Sequence, residues 1–516
     1  MDSDMIHVKR RASPPAKLPL RLEHRARFGR LRRHCFETGS SMIERERMMR
    51  PSRPTLARRF TAVVTALAVC GMGLPARAQP APETVGLPII RDAEIEQLLR
   101  DYTEPILRVA GLTQQNVHVV IINDPTFNAF VADGRRIFVN VGALRESETP
   151  NQIIGVLAHE TGHIAGGHLQ RMREQLASAQ TAAIVAMLLG VGAAVAGSRS
   201  PSGDMGAVAG AALTGPQEVI RHTLLSYARQ QEEQADRAGV KFLTATGQSA
   251  KGMYDTFKRF AAQVQFSLNY IDPYLQTHPM PMERVAALEE VAKSSPYWDK
   301  KDPPELQLRH DLMRAKLAGF IDRPDTVARR YPASDQSLAA RYARAISAYR
   351  HGDLRIAIAQ IDGLIQAQPH NPYFYELKGQ ALMENGHAPE ALGPLRHAVS
   401  LAPNATLIRM LLGQALVATS DPKNADEAIP MLKTALAREP DAPDSYSQLA
   451  MAYGRKGDLA EADLASAQAA FARGDFKTAR ELAARAKIRF PTGSPGWVKA
   501  DDIVTFKQPA GLARRN

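Results

Sequence analysis

The sequence predicts a mainly α-helical chain of the α+β type, in which a domain with a small β-sheet is followed by an α-solenoid. Two observations indicate this architecture: residues 92–294 mix helix and strand patterns, and a 34-residue repeat begins after residue 335. Two histidines four residues apart on a predicted helix add a metal site to the first domain. A chain of 516 residues is also too long for a single hydrophobic core.

The positive charge of the chain is concentrated at its N-terminus. Residues 1–78 hold 17 basic and 6 acidic side chains, whereas the whole chain has a net charge of +12. The remaining chain is close to neutral, which excludes a broad nucleic-acid interface. Both cysteines, Cys35 and Cys70, also lie in this segment. Any metal in the body of the chain must therefore be bound by histidines and carboxylates.

Residues 48–78 are predicted to be a secretory signal peptide. Four arginines precede an apolar stretch at 60–74, and Ala76 and Ala78 form an A-x-A cleavage site. We expect translation to begin at Met48 or Met49, with residues 1–47 an upstream extension or a disordered segment. The mature protein is then expected in the periplasm.

The first domain is predicted at residues 85–295. Strands are expected at 116–123, 127–132 and 136–141, with the turn signal Asp133-Gly134 between the last two. Helices are expected at 151–173 and 218–243. The uncharged stretch 182–197 is too short to span a bilayer, and is expected to be either a mobile lid or a segment that contacts a membrane.

The second domain is predicted at residues 336–491, after linker helices at 296–335 and before a tail at 492–516. Gly352 and Gly386 are 34 residues apart, as are Gly379 and Gly413. Prolines and alanines recur in the same phase, and a three-residue insertion near Ser420 accounts for a local spacing of 37. This is the period of tetratricopeptide repeats, in which paired helices cross at small residues.

The motif H-E-x-x-H lies at His159-Glu160-Thr161-Gly162-His163. Residues four apart share one face of a helix, so His159 and His163 can bind one metal ion. Glu160 lies beside them, where it can polarise a water molecule held by the metal. Zinc suits this chemistry because it acts as a Lewis acid and lowers the pKa of water. We therefore expect one Zn²⁺ per chain and Glu160 as the general base.

A catalytic zinc ion needs a third protein ligand. His168 is one residue out of register with the third histidine of H-E-x-x-H-x-x-G-x-x-H. Glu232 is the better candidate, because Asp236 lies four residues further on the same predicted helical face and can bind the free N–H of a ligand imidazole. Glu233 is the rival ligand, which spacing alone does not exclude.

The motifs H-E-x-x-H-x-x-x-x-H and E-x-x-A-D resemble the membrane-linked zinc proteases of peptidase family M48, which include CAAX prenyl and HtpX-like heat-shock peptidases. The resemblance extends to Asn128-Ala129-Phe130, to residues 137–142, to His278-Pro279 with Glu283-Arg284, and to residues 312–317. It covers about residues 85–490. A signal peptide with C-terminal repeats is similar to periplasmic members of this family that act in outer-membrane β-barrel assembly.

The resemblance implies a gluzincin-like protease domain and several residue roles. It favours Glu232 over Glu233 as the third ligand. It points to His278, held in an extended segment by the following proline, as a fourth ligand or regulatory residue. Arg284 is expected either to stabilise the transition state or to form a structural salt bridge. The strand containing Asn128, Ala129 and Phe130, or the one at 136–141, is expected to bind substrate backbone by strand addition.

These predictions lead to two hypotheses for function. In the first, the chain is a periplasmic zinc endopeptidase that degrades misfolded or stalled outer-membrane proteins, and its repeats bind substrates or the β-barrel assembly machinery. Peripheral contact with the outer membrane is expected as well. In the second, the chain is a chaperone or scaffold for outer-membrane protein assembly, and proteolysis is secondary.

Overall fold

The computed structural model describes residues 88–178, 228–266, 274 and 278–507. The predicted signal peptide, the 182–197 stretch and the N-terminal part of the predicted 218–243 helix lie outside these described residues.

A four-stranded sheet lies at the start of the first domain. Its strands are β1 (Ile89–Ile90), β2 (His118–Ile122), β3 (Ala129–Val131) and β4 (Arg136–Asn140), in the order β1-β2-β4-β3. Strand β4 is parallel to β2 and antiparallel to β3. The hairpin predicted at Asp133-Gly134 is confirmed, and Gly134 has the positive φ that such a turn needs. Because β4 is paired on both sides, its backbone is not available for strand addition, whereas β3 is an edge strand.

Seven α-helices of the first domain lie within the described residues. They are α1 (Ala93–Val109), α2 (Val141–Glu146), α3 (Pro150–Ala165), α4 (residues 168–178), α5 (residues 228–245), α6 (Lys251–Phe266) and α7 (Met282–Lys293). The prediction of one helix over 151–173 is wrong. Helix α3 ends at Gly166-Gly167, where Gly167 adopts a left-handed conformation with φ of 63°, and α4 begins at His168.

Close helix packing places α3 against α5 and α6. A Cβ atom on Gly155 would lie 2.5 Å from the Cβ of Met253 on α6, and one on Gly162 would lie 2.8 Å from the carbonyl oxygen of Ala235 on α5. Glycine at these two positions therefore permits an approach that any larger residue would prevent. This approach brings the side chains of α5 next to those of the H-E-x-x-H helix.

Helical pairs follow the first domain to the end of the described chain. Helix α8 (Pro304–Ile321) packs mainly on α10 (Leu338–His351), and the short α9 (Pro324–Arg330) connects them. The pairs are α10 with α11 (Leu354–Ala367), α12 (Pro372–Glu384) with α13 (Ala388–Leu401), α14 (Thr406–Ala418) with α15 (Pro422–Leu436), α16 (Pro443–Arg455) with α17 (Leu459–Ala472), and α18 (Phe476–Arg489) with α19 (Pro495–Thr505). The recurring Ala357, Ala391 and Ala428 are fully buried. The region predicted as a tail contains α19, whose N-terminus is capped by Ser494.

A buried ion cluster joins the first domain to the repeats. Lys316 on α8 lies 2.8 Å from Asp92 and 3.2 Å from Glu94, both at the N-terminus of α1. Glu376 on α12 lies 4.0 Å from the same ammonium group. Tyr342 on α10 donates a hydrogen bond to Glu94 at 2.9 Å. One buried cation therefore contacts carboxylates from both domains, and both domains belong to one compact unit.

No helix in the described ranges is both long enough and apolar enough to cross a membrane.

The Glu376 carboxyl gives a testable prediction about pH. Burial raises its pKa to about 8, from an ordinary value of 4.5. Because the folded state binds this proton more tightly than the unfolded state, the contribution of Glu376 to stability is lost as the pH rises from about 4.5 to 8. Glu376→Gln removes this ionisable group and is therefore expected to raise the thermal unfolding midpoint by several degrees at pH 8 and by less at pH 5.

Glu390→Gln is the matched control, because Glu390 is exposed on the next helix, α13. A Glu376→Gln midpoint that differs from the wild type equally at both pH values would contradict the prediction.

Candidate metal centre

The two histidines of the H-E-x-x-H motif face each other on one side of helix α3. The Nε2 atoms of His159 and His163 are 3.0 Å apart, and their rings meet edge to face. His159 is fully buried, whereas His163 is slightly exposed. Apolar residues before the motif (Ile153, Ile154, Val156 and Leu157) are buried in the domain core and hold this face of α3 in place.

Helix α5 adds a carboxylate to the same point. The two carboxylate oxygens of Glu232 lie 3.4 Å from Nε2 of His159 and 3.4 Å from Nε2 of His163, respectively. Glu233, the rival in the sequence, has a side chain that is 51% exposed and faces Arg237 at 3.9 Å. The fold therefore brings Glu232, and not Glu233, to the two histidines.

His278 completes the cluster from the segment before α7. Its Nδ1 atom lies 3.0 Å from the Glu232 carboxylate and 3.4 Å from Nε2 of His159. One ligand atom from each of His159, His163, Glu232 and His278 lies within 4.8 Å of all the others. The Nε2 atom of His278 is 3.5 Å from Glu160.

Asp236 orients the His159 imidazole. Its Oδ1 atom is 2.9 Å from Nδ1 of His159. The negative charge beside Nδ1 favours the tautomer that carries the proton on Nδ1, which leaves the lone pair of Nε2 facing the cluster. Nearby positive charge from Arg284 keeps the pKa of the Asp236 carboxyl below its usual value, although burial alone would raise it.

Arg284 on α7 binds two of the acidic side chains of α5, Asp236 and Glu232. It donates from Nε and Nη2 to Asp236 at 2.6 and 2.8 Å, and its Nη1 lies 2.8 Å from Glu232. Nη1 also donates to the carbonyl oxygen of Pro279 at 2.9 Å. These contacts match the structural salt bridge, which was one of the two alternatives for this residue.

His168 lies next to the cluster but outside it. Its Nδ1 atom is 3.0 Å from Nδ1 of His163, on the side of that ring that faces away from His159 and Glu232. Gln231 on α5 donates to its backbone carbonyl at 3.2 Å. His168 therefore contacts a candidate ligand, His163, without belonging to the cluster.

Two aromatic residues that sequence reasoning missed pack against the cluster. The ring of Tyr274 lies 4.7 Å from that of His278, and the edge of Phe257 on α6 meets the ring of His159 at 5.3 Å. The spacing of four residues between Tyr274 and His278 is the signal that was available in the sequence. These rings exclude water from one side of the site.

The donor set fits a divalent metal ion. Several acceptor atoms converge here. When each ring carries its proton on Nδ1, the Nε2 atoms of His159 and His163 both present lone pairs, which a metal ion can accept. Both carboxylate oxygens of Glu160 are buried and have no hydrogen-bond partner among the described residues. Two imidazoles with a carboxylate are a donor set that zinc prefers.

The environment of Glu160 differs from that of Glu232, although both are buried. Burial raises the pKa of the Glu160 carboxyl. Burial has the same tendency at Glu232, but His278, His159 and Arg284 together bring the pKa of that carboxyl well below its usual value. Two carboxylates with oppositely shifted pKa values suit two roles, a proton carrier and a permanently ionised ligand.

The predicted substrate strand lies at the edge of the sheet. Ala129 and Phe130 belong to β3, and the carbonyl oxygen of Asn128 accepts a hydrogen bond from the backbone of Asn140 at 2.9 Å. The ring of Phe130 stacks on that of Phe138 at 5.1 Å. Helix α3 packs next to β3, so the edge strand adjoins the helix that carries the histidines.

Comparisons with known proteins match both parts of the chain. Residues 91–292 match the model of peptidase family M48, and residues 325–472 match the model of the TPR domain of cytochrome c-type biogenesis protein H.

Three relatives show how far the similarity extends. The beta-barrel assembly-enhancing protease of Escherichia coli is 26% identical over 351 residues, which cover 66% of this chain and 68% of the relative. The protein of the same name from Yersinia pestis is 23% identical over 415 residues, covering 79% and 82%. The mitochondrial metalloendopeptidase OMA1 of Schizosaccharomyces pombe is 26% identical over 188 residues, covering 36% and 49%.

The Arg284 contacts give a testable prediction about stability. Arg284→Leu leaves the carboxylates of Asp236 and Glu232 buried without their cation, and breaking such a buried pair costs about 3–5 kcal/mol. We expect a clear fall in the thermal unfolding midpoint. Arg237→Leu is the matched control, because Arg237 is exposed on α5 and forms only a surface pair with Glu233. Equal midpoints for the two variants would contradict the structural role of Arg284.

Proposed function

We propose that this metalloprotease, whose peptidase M48 domain precedes a TPR domain, is a periplasmic zinc-dependent endopeptidase that degrades misfolded or stalled outer-membrane proteins. The observation that carries the proposal is the convergence of two imidazoles and a carboxylate beside the buried Glu160. In this proposal His159, His163 and Glu232 bind one zinc ion per chain.

Zinc bound there supplies a Lewis acid for the peptide carbonyl and lowers the pKa of water. Glu160 accepts the proton of the attacking water and returns it to the leaving amine. Its buried carboxyl has a raised pKa, which favours reversible proton transfer over permanent ionisation. Asp236 and Arg284 hold His159 and Glu232 in position.

The proposed substrate class follows from the edge strand and from the relatives. Among the described residues, strand β3 is at the edge of the sheet next to α3, and an extended chain can bind there by strand addition. Recognition of backbone favours unfolded chains over a particular sequence. The name of the bacterial relatives, beta-barrel assembly-enhancing protease, supports outer-membrane proteins as the source of those chains.

The repeats supply the second part of the proposal. A TPR domain is a surface for binding proteins, and we assign it to substrates or to the β-barrel assembly machinery. The predicted signal peptide and the Gram-negative relatives support a periplasmic location, with peripheral contact to the outer membrane.

The first test of this function removes the proposed base. Glu160→Gln keeps the shape of the side chain but cannot accept a proton, so cleavage of an unfolded model substrate is expected to fall by about a hundredfold or more. Metal analysis is expected to find about one zinc ion per chain in both proteins. Glu233→Gln is the matched control and should cleave normally. Undiminished cleavage by Glu160→Gln, or no bound zinc in the wild type, would reject the proposal.

The same variant separates the protease from the alternative function of a chaperone or scaffold. The TPR match is the observation that favours the alternative. In a complementation assay of outer-membrane protein assembly, Glu160→Gln is harmful if proteolysis is the main function and has no effect if the scaffold dominates. Substitutions in the repeats are expected to show the reverse pattern.

His278 gives a prediction about how the resting enzyme is kept inactive. We assign His278 as a fourth ligand in the resting state, where it blocks the place that the attacking water needs. Its Nδ1 atom is already 3.4 Å from Nε2 of His159, and the following proline stiffens the segment. His278→Ala is expected to raise basal cleavage of unfolded substrates severalfold, with zinc still close to one per chain.

The exposed His370 provides the control, since His370→Ala should leave cleavage unchanged. Loss of cleavage in His278→Ala with zinc retained would make His278 catalytic, and unchanged cleavage would make it a bystander. Either result would reject the inhibitory role.

A further inference from the structure

A cavity of about 390 Å³ lies where the first domain meets the helices that lead into the repeats. Its walls come from the loop at Pro125, helices α2 and α6 of the first domain, and helices α8 and α9. None of the residues that line it belongs to the cluster around His159. The cavity is large enough to hold a small ligand or the headgroup of a larger one.

Four arginines line this cavity, each from a different helix. They are Arg145 on α2, Arg259 on α6, Arg314 on α8 and Arg330 on α9. The first three are half-buried, and Arg330 is exposed. The two acidic residues that line the cavity, Glu146 and Glu148, are exposed. The more deeply placed charges are therefore positive.

The carboxylates near these arginines engage them only in part. Asp322 binds Arg145 through one Nη atom at 2.6 Å. Arg259 lies over the rings of Phe127 and Phe260, and its distance to the carboxylate of Glu146 is 3.8 Å. Arg314 donates from Nε to the carbonyl oxygen of Arg145, and it is 3.9 Å from Asp311.

Two buried donor atoms of these arginines have no acceptor in the part of the chain that the structure describes. The Nε atoms of Arg145 and Arg259 are buried and have no hydrogen-bond partner among the described residues. A buried N–H group of a charged side chain costs more free energy when unpaired than a neutral one does. Four guanidinium groups around one space also repel one another unless an anion lies between them.

We infer that this cavity binds a phosphate-bearing anion. Arginine is suited to phosphate because its planar fork matches two oxygens and its charge is permanent. A carboxylate offers two oxygens in one plane, which suits a single fork. Phosphate offers oxygens in several directions, which suits donors that come from four helices. The anion would also tie the first domain to α8 and α9, because both contribute donors.

Phosphate of this kind occurs free in solution and in the headgroups of anionic phospholipids, and the test separates the two. The first arm uses the full-length mature chain and inorganic phosphate, with binding measured by calorimetry at constant ionic strength against chloride. Arg330→Gln is the test variant, because Arg330 is exposed and its loss should not disturb the fold. The affinity for phosphate is expected to fall about tenfold or more, the effect of one charge-assisted hydrogen bond.

Arg329→Gln is the matched control, since Arg329 is the neighbouring exposed arginine, pairs with Asp325 and does not line the cavity. Its affinity for phosphate is expected to equal that of the wild type. Arg259→Gln removes one of the two unpaired donors and should weaken binding as well. Phosphate that binds no more tightly than chloride, or equal losses in Arg329→Gln and Arg330→Gln, would overturn the proposal.

The second arm uses vesicles of phosphatidylcholine with and without phosphatidylglycerol. If the chain binds the anionic vesicles, if inorganic phosphate competes with this binding, and if Arg330→Gln weakens it, the site binds phosphate in a lipid headgroup. If the chain binds inorganic phosphate but not the vesicles, the site binds a soluble phosphate-bearing anion. If Arg329→Gln weakens vesicle binding as much as Arg330→Gln does, the binding depends on general surface charge, and the proposed site is rejected.

Discussion

Arg284 contacts both Asp236 and Glu232, which lie one helical turn apart on α5. Without this cation, two carboxylates would be buried side by side next to Glu160, which is costly in a region of low dielectric constant. With it, Asp236 can hold the proton on Nδ1 of His159, and Glu232 can face both histidines. The orientation of two of the four candidate ligands, His159 and Glu232, therefore depends on one guanidinium group from a third helix.

A second buried cation has a related role at the domain junction. Lys316 contacts Asp92 and Glu94 of the first domain and lies near Glu376 of the repeats. Because Glu94 is buried, the hydrogen bond that it accepts from Tyr342 of the repeats keeps its carboxylate satisfied only while the two domains stay in contact. These buried polar contacts thus favour one arrangement of the first domain and the repeats.

Much of this architecture was predictable from local patterns. The mainly α-helical class with a small sheet is confirmed, and so is the metalloprotease predicted from His159, Glu160 and His163. The repeat pattern was visible because small residues such as Ala357 and Ala391 recur wherever two helices cross. The helix predicted through Arg173 was wrong, because apolar periodicity continues across Gly166-Gly167 while the backbone turns there.

The sequence by itself determined the helix face that carries His159 and His163, because a spacing of four residues has one geometric meaning in an α-helix. Helical spacing left the choice between Glu232 and Glu233 open, because it does not show which of two adjacent side chains faces the histidines. Tertiary structure places the carboxylate of Glu232, and not that of Glu233, beside both histidines, because α5 packs closely on α3 at Gly162. It also brought in His278 and Arg284 from positions more than 40 residues further along the chain. Contacts at such separations depend on how helices pack, and no local pattern encodes them.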